Sequence, residues 1–174
     1  GPGQLMLSKW LELVVVLGLA LAFPGCHPGN AEAKRLRLAC DGGDAKACNQ
    51  LAIKLQKGEY VLRDVAHAAT LYQRACDADV PAGCASVGLM YQSGSGVKRD
   101  SLRAMTLFTR ACDRDALDGC TRLGMLHERG AGMPRDVARA ASLFRKACDG
   151  SQMAGCAELG VLHASGEGVP QDFD

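Results

Sequence analysis

Hydrophobic and polar positions recur along residues 40–174 in a pattern that predicts helical hairpins. In the second unit, a first helix is predicted over residues 82–92 from a wide apolar face, formed by Val87, Leu89, Met90 and Tyr91. The glycine- and serine-rich segment Ser93–Gly96 ends that helix. Asp100 then offers an N-cap oxygen to a second helix that continues to about Cys112. The unit therefore reads as helix, loop, helix.

The same pattern returns every 36 residues. The second helices share an apolar stripe at helical spacing, seen as Ala104, Leu107, Phe108 and Ala111 and again as Ala140, Leu143, Phe144 and Ala147. Residues 76–111 and 112–147 share 15 identities without a gap. Gly88, Gly124 and Gly160 recur inside the first helices, where glycine costs about 1 kcal/mol relative to alanine. A cost repeated at one register predicts close backbone contact between neighbouring helices. Units of this size cannot bury their apolar faces alone, so they must stack into a solenoid.

The run from Ala85 to Ala111, with Gly88, Tyr91, the loop glycines, Asp100 and Leu107-Phe108, resembles the Sel-one-like repeat, a relative of the tetratricopeptide repeat. The cysteine spacing is similar to that of the cysteine-rich bacterial subgroup. The resemblance covers about residues 40–174. It implies an all-α, right-handed α/α solenoid of about four repeats, whose concave face binds an unidentified protein or peptide. In the first unit Ala52 and Tyr60 replace repeat glycines, which predicts a looser loop in a terminal unit.

Eight of the nine cysteines form four pairs of identical spacing, and each pair follows the last by 36 residues. They are Cys40/Cys48, Cys76/Cys84, Cys112/Cys120 and Cys148/Cys156. Each pair flanks the turn between a second helix and the next first helix, so disulfides would staple these turns, each contributing about 2.5 kcal/mol. Metal binding fits less well, because zinc sites favour shorter spacings. No C-x-x-C motif suggests redox chemistry, and no cofactor is predicted.

Residues 1–25 resemble a secretory signal, with Lys9 followed by an apolar stretch. Two cleavage sites compete. Ala20–Ala22 would release an unanchored protein, whereas Phe23–Cys26 resembles a lipobox that would make Cys26 a lipidated first residue and a membrane anchor. We favour the lipobox, because it explains the unpaired cysteine. An uncleaved anchor and a misread start remain alternatives, since Met6 is the better initiator.

The two ends of the repeat array are atypical. Residues 26–39 are expected to form a tether and a capping half-helix, because residues 31–39 match the second half of a second helix. The fourth repeat of the segment 40–174 stops at Asp174, just where its second helix should begin at Asp172. A solenoid needs a polar terminal cap. We therefore expect the chain to be a fragment of a longer array.

Charge and candidate chemistry favour a binding function over catalysis. Twenty basic residues balance nineteen acidic ones, which argues against nucleic acid as a partner. Ser95–Lys98 matches S-x-x-K, so a weak β-lactam-binding or β-lactamase-type hydrolase is the alternative, but no companion motif follows. His127 and His163 share one register and are interpreted as packing residues rather than metal ligands. Three arginines are interpreted as a solvated helix face: Arg103, Arg110 and Arg139.

We therefore predict an exported repeat scaffold that mediates protein–protein interaction in the bacterial cell envelope, either anchored or periplasmic. It carries no predicted catalytic residue and no predicted metal ligand.

Overall fold

A computed structural model describes residues 28–167, and all the regular structure in that range is helical. The helices are α1 Pro28–Asp41, α2 Ala45–Lys57, α3 Val65–Asp77, α4 Pro81–Ser93, α5 Ser101–Asp113, α6 Leu117–Arg129, α7 Val137–Asp149 and α8 Met153–Ser165. The first helices of the four hairpins are α2, α4, α6 and α8, and the second helices of the first three are α3, α5 and α7. Corresponding helices begin 36 residues apart, as the sequence period predicts.

Each hairpin is bounded by the caps that the sequence predicts. Asp64, Asp100 and Asp136 precede the second helices, and each carboxylate accepts a hydrogen bond of 2.8–2.9 Å from the amide three residues later. The first helices end at glycines in the left-handed conformation, which are Gly58, Gly94, Gly130 and Gly166. A side chain is disfavoured in that conformation, so glycine at this register stops the helix at the same point in every repeat.

Stacking of the hairpins produces a curved solenoid. Each helix packs against the next one in the chain, and the first helices α4, α6 and α8 also approach one another across repeats. Within residues 28–167 no two second helices approach one another as extensively. Because neighbouring first helices lie closer together, they form the inner, concave side of the curve. The stacked helical hairpins agree with the all-α solenoid predicted from the 36-residue repeat.

Aromatic rings from the second helices fill the space beside the glycines of the first helices. A Cβ added to Gly88 would lie 2.8 Å from Cε1 of Phe108, and one added to Gly124 would lie 2.6 Å from Cε1 of Phe144. Both rings are completely buried. The prediction of close backbone contact at this register was therefore wrong, because the partner is a ring of the same hairpin. Gly160 has no neighbour within 4 Å among the described residues.

The first hairpin fills the same space differently. Ala52 replaces the glycine and Tyr72 replaces the phenylalanine, and both side chains are buried. The Tyr72 hydroxyl donates to Oε1 of Gln56 at 2.9 Å, so the added oxygen has a partner. Burial raises the pKa of Tyr72 to about 12, partly offset by a hydrogen bond with Ser86.

Close backbone contact occurs instead at a second glycine series, Gly83, Gly119 and Gly155. A Cβ on Gly119 would lie 2.6 Å from Cβ of Ala111 and 3.1 Å from the amide nitrogen of Cys112. These glycines let each first helix touch the backbone of the preceding second helix, immediately beside a cysteine pair. The sequence shows this glycine as C-x6-G-C at residues 76–84, 112–120 and 148–156.

Four disulfides staple the turns, which confirms the stapled solenoid. Each joins the end of a second helix, or of α1, to the start of the next first helix across Cα–Cα distances of 4.5–4.6 Å, and the pairs are Cys40–Cys48, Cys76–Cys84, Cys112–Cys120 and Cys148–Cys156. In the first three bonds every cysteine is at most 3% exposed. In the fourth, Cys148 and Cys156 are both partly exposed. Access of a reductant to the sulfurs therefore differs along the array.

We expect the Cys148–Cys156 disulfide to be the first to open when the native protein is treated with a phosphine reductant. Attack requires contact with a sulfur atom, and the other three pairs are shielded by packed side chains. Brief reduction, alkylation and peptide mapping measure the order of opening. Simultaneous labelling of all four pairs would show that reduction requires global unfolding instead.

The loop of the first hairpin is an alternative packing arrangement and not a looser loop. Tyr60 adopts φ 60°, in the same left-handed region as Gly96 at φ 72°. Gly96 lies against the carbonyl of Val65 at the start of the preceding second helix. In the first repeat the large and the small residue change places. The loop carries the large residue, Tyr60, and its ring lies against Gly29 at the start of α1. The prediction of a looser terminal loop was therefore wrong.

Candidate functional site

The inner side of the curve carries a row of apolar side chains, one from each first helix. This inner row consists of Ile53, Leu89, Met125 and Val161. The first three are half-buried and pack against the core, whereas Val161 is 58% exposed. The first helices α4, α6 and α8 approach one another across repeats, so Leu89, Met125 and Val161 follow one another along the curve.

Polar rows border the inner row on both sides. One turn earlier lie Gln50, Ser86, Arg122 and Glu158, and one turn later lie Lys57, Ser93, Arg129 and Ser165. These side chains are exposed or half-exposed. Arg122 is held by an ion pair of 2.9 Å with Asp118 on the same helix. An apolar strip with polar margins has the anatomy of a protein-binding surface.

On the outer side, a column of cations links each second helix to the one before it. Nζ of Lys146 donates to the carbonyl of Cys112 at 2.8 Å, and Arg74 donates to the carbonyl of Cys40 at 3.0 Å. Arg110 reaches the carbonyl of Asp77 at 3.5 Å. These carbonyls lie at helix C-termini, where they lack intrahelical partners and favour a positive charge. Arg110 is therefore a clamp between repeats, which corrects its interpretation as a solvated residue.

Turn carboxylates strengthen this clamp in the second and third repeats. Asp79 lies 2.9 Å from Arg110 and 2.7 Å from Arg114, and Asp115 lies 3.1 Å from Lys146. Both aspartates have positive φ, which aspartate tolerates better than most residues. Hydrogen bonds from Arg110, and next from Arg114, lower the pKa of Asp79 below its ordinary value of 3.8.

We expect acid to weaken this clamp only below the ordinary titration range of aspartate. Because the pKa of Asp79 is lower in the folded chain, its contribution to stability is present above 3.8 and is lost as pH falls through the lowered value. A ¹³C NMR titration of the side-chain carboxyl checks this. Replacing both Arg110 and Arg114 by Gln should raise the midpoint, and an unchanged midpoint would contradict the assigned cause.

The residues considered for catalysis do not form a catalytic set in the structure. Ser95 is half-exposed and Lys98 exposed on the loop between α4 and α5. Among residues 28–167, no hydrogen bond joins the Ser95 hydroxyl to a base. His127 and His163 lie near the ends of α6 and α8. The Nδ1 atom of His127 is buried and has no hydrogen-bond partner in the part of the chain that the structure describes.

Within residues 28–167 the structure shows neither a cluster of metal ligands nor a membrane-spanning helix. No group of three or more His, Cys, Asp or Glu side chains in residues 28–167 is arranged to hold a metal ion. None of the helices described there has the length and apolar character needed to cross a bilayer. The proposed lipidation residue Cys26, like the rest of the signal segment, lies outside the described residues.

Comparison with known families places the repeat architecture in context. The model of the Sel1 repeat matches four consecutive segments of the chain, residues 45–80, 81–115, 117–151 and 154–174. The chain belongs to the Sel1 repeat family. The matched segments begin with the first helices of the structure, so the family's repeat coincides with the hairpins described above. Among curated proteins, none matches this Sel1 repeat chain.

Solved structures of Sel1 repeat proteins have the same fold. The chain is 29% identical to c5321, a protective antigen of uropathogenic Escherichia coli with an SLR fold, with a TM-score of 0.74 over 78% of this chain and 29% of that one. Cysteine rich protein B of Helicobacter pylori is 25% identical, with a TM-score of 0.61 over 78% and 99%. A Sel1 repeat protein from Oxalobacter formigenes shares the fold at 24% identity, with a TM-score of 0.78 over 83% and 59%.

The chain thus spans 29% of the length of the Escherichia coli antigen and 59% of that of the Oxalobacter protein. Sel1 repeat proteins are generally scaffolds for protein interaction. This general property and the inner row together indicate that the concave surface is the candidate binding site.

Proposed function

We propose that this Sel1 repeat chain is an exported scaffold that binds a protein or peptide partner along its inner face. The observation that carries the proposal is the inner row. Four aliphatic side chains remain accessible at one register of the first helices, bordered by polar rows. In a solenoid the concave surface is continuous across repeats, so one extended partner can contact all four positions.

The disulfides support placement of the scaffold outside the cytoplasm. Four bonds within one short chain are typical of an oxidising compartment, because cytosolic thiols are kept reduced. The signal-like segment 1–25 agrees with export, and a lipid on Cys26 would hold the scaffold at the bacterial envelope. Two structural neighbours are described as a protective antigen and as a cysteine rich protein, which suits the same placement.

The test compares capture of partners by the wild-type chain and by an inner-row variant. Oxidised protein is immobilised, incubated with envelope extract, and the retained proteins are identified by mass spectrometry. Leu89→Lys combined with Met125→Lys places two charges in the middle of the inner row. We expect this variant to lose the specific partner, because each lysine must be desolvated when an apolar partner docks.

A matched control separates loss of binding from general damage. Leu102→Lys changes a leucine of α5 that is 60% exposed and lies on the second-helix side. It should retain the partner. Equal capture by the wild-type chain and the inner-row variant would overturn the assignment of the inner face, provided that all proteins have the same melting temperature.

Export and anchoring have a test of their own. Intact-mass analysis of protein isolated from membranes would reveal acylation at Cys26 together with the loss of two hydrogens for each closed cysteine pair. An unacylated mature chain that begins after residue 22 would instead support release at Ala20–Ala22 and would exclude the lipid anchor.

A further inference from the structure

The loop of the second hairpin forms an open groove of about 620 Å³ with an excess of positive charge. We call it the loop groove, and its lining residues are Tyr91, Val97, Lys98, Arg99, Asp100 and Arg103. Three of these side chains are cationic and one is anionic. The excess matters because the chain as a whole is almost neutral.

Positive charges in the loop groove are only partly neutralised by the surrounding residues. Lys98 and Arg99 are exposed and make no ion pair within residues 28–167. The carboxylate of Asp100 accepts a hydrogen bond of 2.9 Å from the amide of Arg103, since it caps α5. Asp100 offsets one of the three positive charges, so the groove keeps a net excess of positive charge. Such an arrangement favours an external anion, because like charges repel when they are held close together.

Arg103 is held in position by an aromatic ring. Its guanidinium carbon lies 4.4 Å from the centre of the Tyr91 ring, and its Nη2 is 3.4 Å from Oε1 of Gln73. A guanidinium stacked on a ring loses less freedom when it binds a ligand, and its planar fork fits both oxygens of a carboxylate. Arg103 thus differs from a freely solvated arginine, which was the prediction from the sequence.

Neighbouring hairpins lack this combination. At the register of Arg99, Arg63 donates to the carbonyl of Gln56 at 3.0 Å. Arg135, also at this register, donates to the carbonyl of Glu128 at 2.8 Å and pairs with Glu167. At the register of Lys98, the other two loops that the structure describes carry leucine and proline. The positive groove is therefore specific to the second hairpin and does not follow from the repeat.

We propose that the loop groove binds the carboxylates of an acidic peptide segment. This inference rests on the proposed function, because it assigns the chemistry of one part of the protein partner. Tyr91 and Leu89 of the inner row both belong to α4, but two residues turn a helix by about 200°, so a partner that contacts both surfaces must pass round the C-terminal end of α4. The inner row supplies apolar contact, and the loop groove selects a partner with acidic residues near the contact with α4.

The experiment uses the full oxidised chain and a fluorescein-labelled peptide of eight glutamates, followed by fluorescence anisotropy. We expect binding that weakens between 50 and 300 mM NaCl, as screening predicts. Replacing Lys98, Arg99 and Arg103 together by Gln should weaken binding about tenfold, because three exposed ion pairs with the peptide are lost. Lys98→Arg should retain binding.

A second triple variant controls for overall charge. Replacing Lys34, Arg35 and Arg37 by Gln removes three exposed cations from α1 and changes the net charge equally. It should bind the peptide like the wild-type chain. Equal weakening by the two triple variants would overturn the proposal, because binding would then follow net charge alone. Retention of binding by the loop-groove variant would also overturn it.

Two further comparisons are needed. One identifies the anion that the loop groove prefers, and the other distinguishes the loop groove from the inner row. A phosphoserine peptide of equal net charge that binds tenfold more tightly than octaglutamate would replace the carboxylate assignment with a phosphate one. Octaglutamate binding depends on the loop groove, whereas partner capture depends on the inner row. If Leu89→Lys with Met125→Lys abolishes capture but leaves octaglutamate binding unchanged, the two surfaces are independent. If octaglutamate binds but no partner is captured, the loop-groove proposal stands and the proposed scaffold function is overturned.

Discussion

Complete reduction of the four disulfides is expected to unfold the repeats. Each bond closes a loop of about nine residues and contributes about 2.5 kcal/mol by the chain-entropy model. Four bonds together contribute roughly 10 kcal/mol, which is comparable with the entire stability of a typical domain, about 5–15 kcal/mol. Circular dichroism at 222 nm, recorded during urea titration with and without reductant, measures the difference.

The composition of the core is the reason for expecting so large an effect. Only 5% of the chain is aromatic, and most positions between the helices are filled by alanine, leucine and cysteine. A thin core of small side chains buries little apolar surface per hairpin. Removing one bond, by changing Cys112 and Cys120 to Ala, should lower the free energy of unfolding by about 2.5 kcal/mol. A cooperative, native-like transition after full reduction would contradict this account.

Much of the fold could be predicted because its determinants are local and repeated. Asp100 caps a helix through an amide three residues away, and Gly94 ends a helix through its own backbone conformation. Such signals act within a few residues, so the sequence shows them directly. Because the same capping signals recur every 36 residues, chance does not explain them. The disulfide-stapled turns could also be predicted, because each cysteine pair flanks a predicted helix boundary.

The contacts that were predicted wrongly, or missed, depend on residues that lie far apart in the chain. Gly88 is adjacent to the ring of Phe108 and not to a backbone, and nothing at Gly88 itself indicates which neighbour fills the space. Arg110 binds groups more than thirty residues earlier. A cation recurs at one register of the second helices, as Arg74, Arg110 and Lys146. Its partner could not be assigned before the stacking of the second helices was known.

The candidate site was the least predictable part. Leu89 and Met90 are adjacent apolar residues, and both were assigned to the apolar face of one helix. In the structure Met90 is 1% exposed, whereas Leu89 is half-exposed on the inner face. The difference arises from the curvature of the stack, which places part of every first helix on the concave surface. Hydrophobic periodicity alone cannot separate a core position from a binding position.

Truncation of one ring should produce the largest effect of any single substitution considered for this chain. We expect Phe108→Ala to lower the free energy of unfolding by about 3–5 kcal/mol, the usual cost of removing a buried phenylalanine ring. The ring is completely buried against Gly88, and glycine cannot fill the cavity that remains. Urea unfolding of the oxidised protein measures the change.

The position of Phe108 explains why the loss should spread beyond one hairpin. Its side chain packs in a cluster with Cys120 and Leu123 of the next first helix, so it joins the second and third repeats. In a repeat array, stability is a sum of units and interfaces, and a weakened central interface allows the two halves to unfold separately. Leu102→Ala, on the same helix at a position 60% exposed, should change stability by no more than about 0.5 kcal/mol. Equal stabilities for the two variants would show that the ring is not a structural link between repeats.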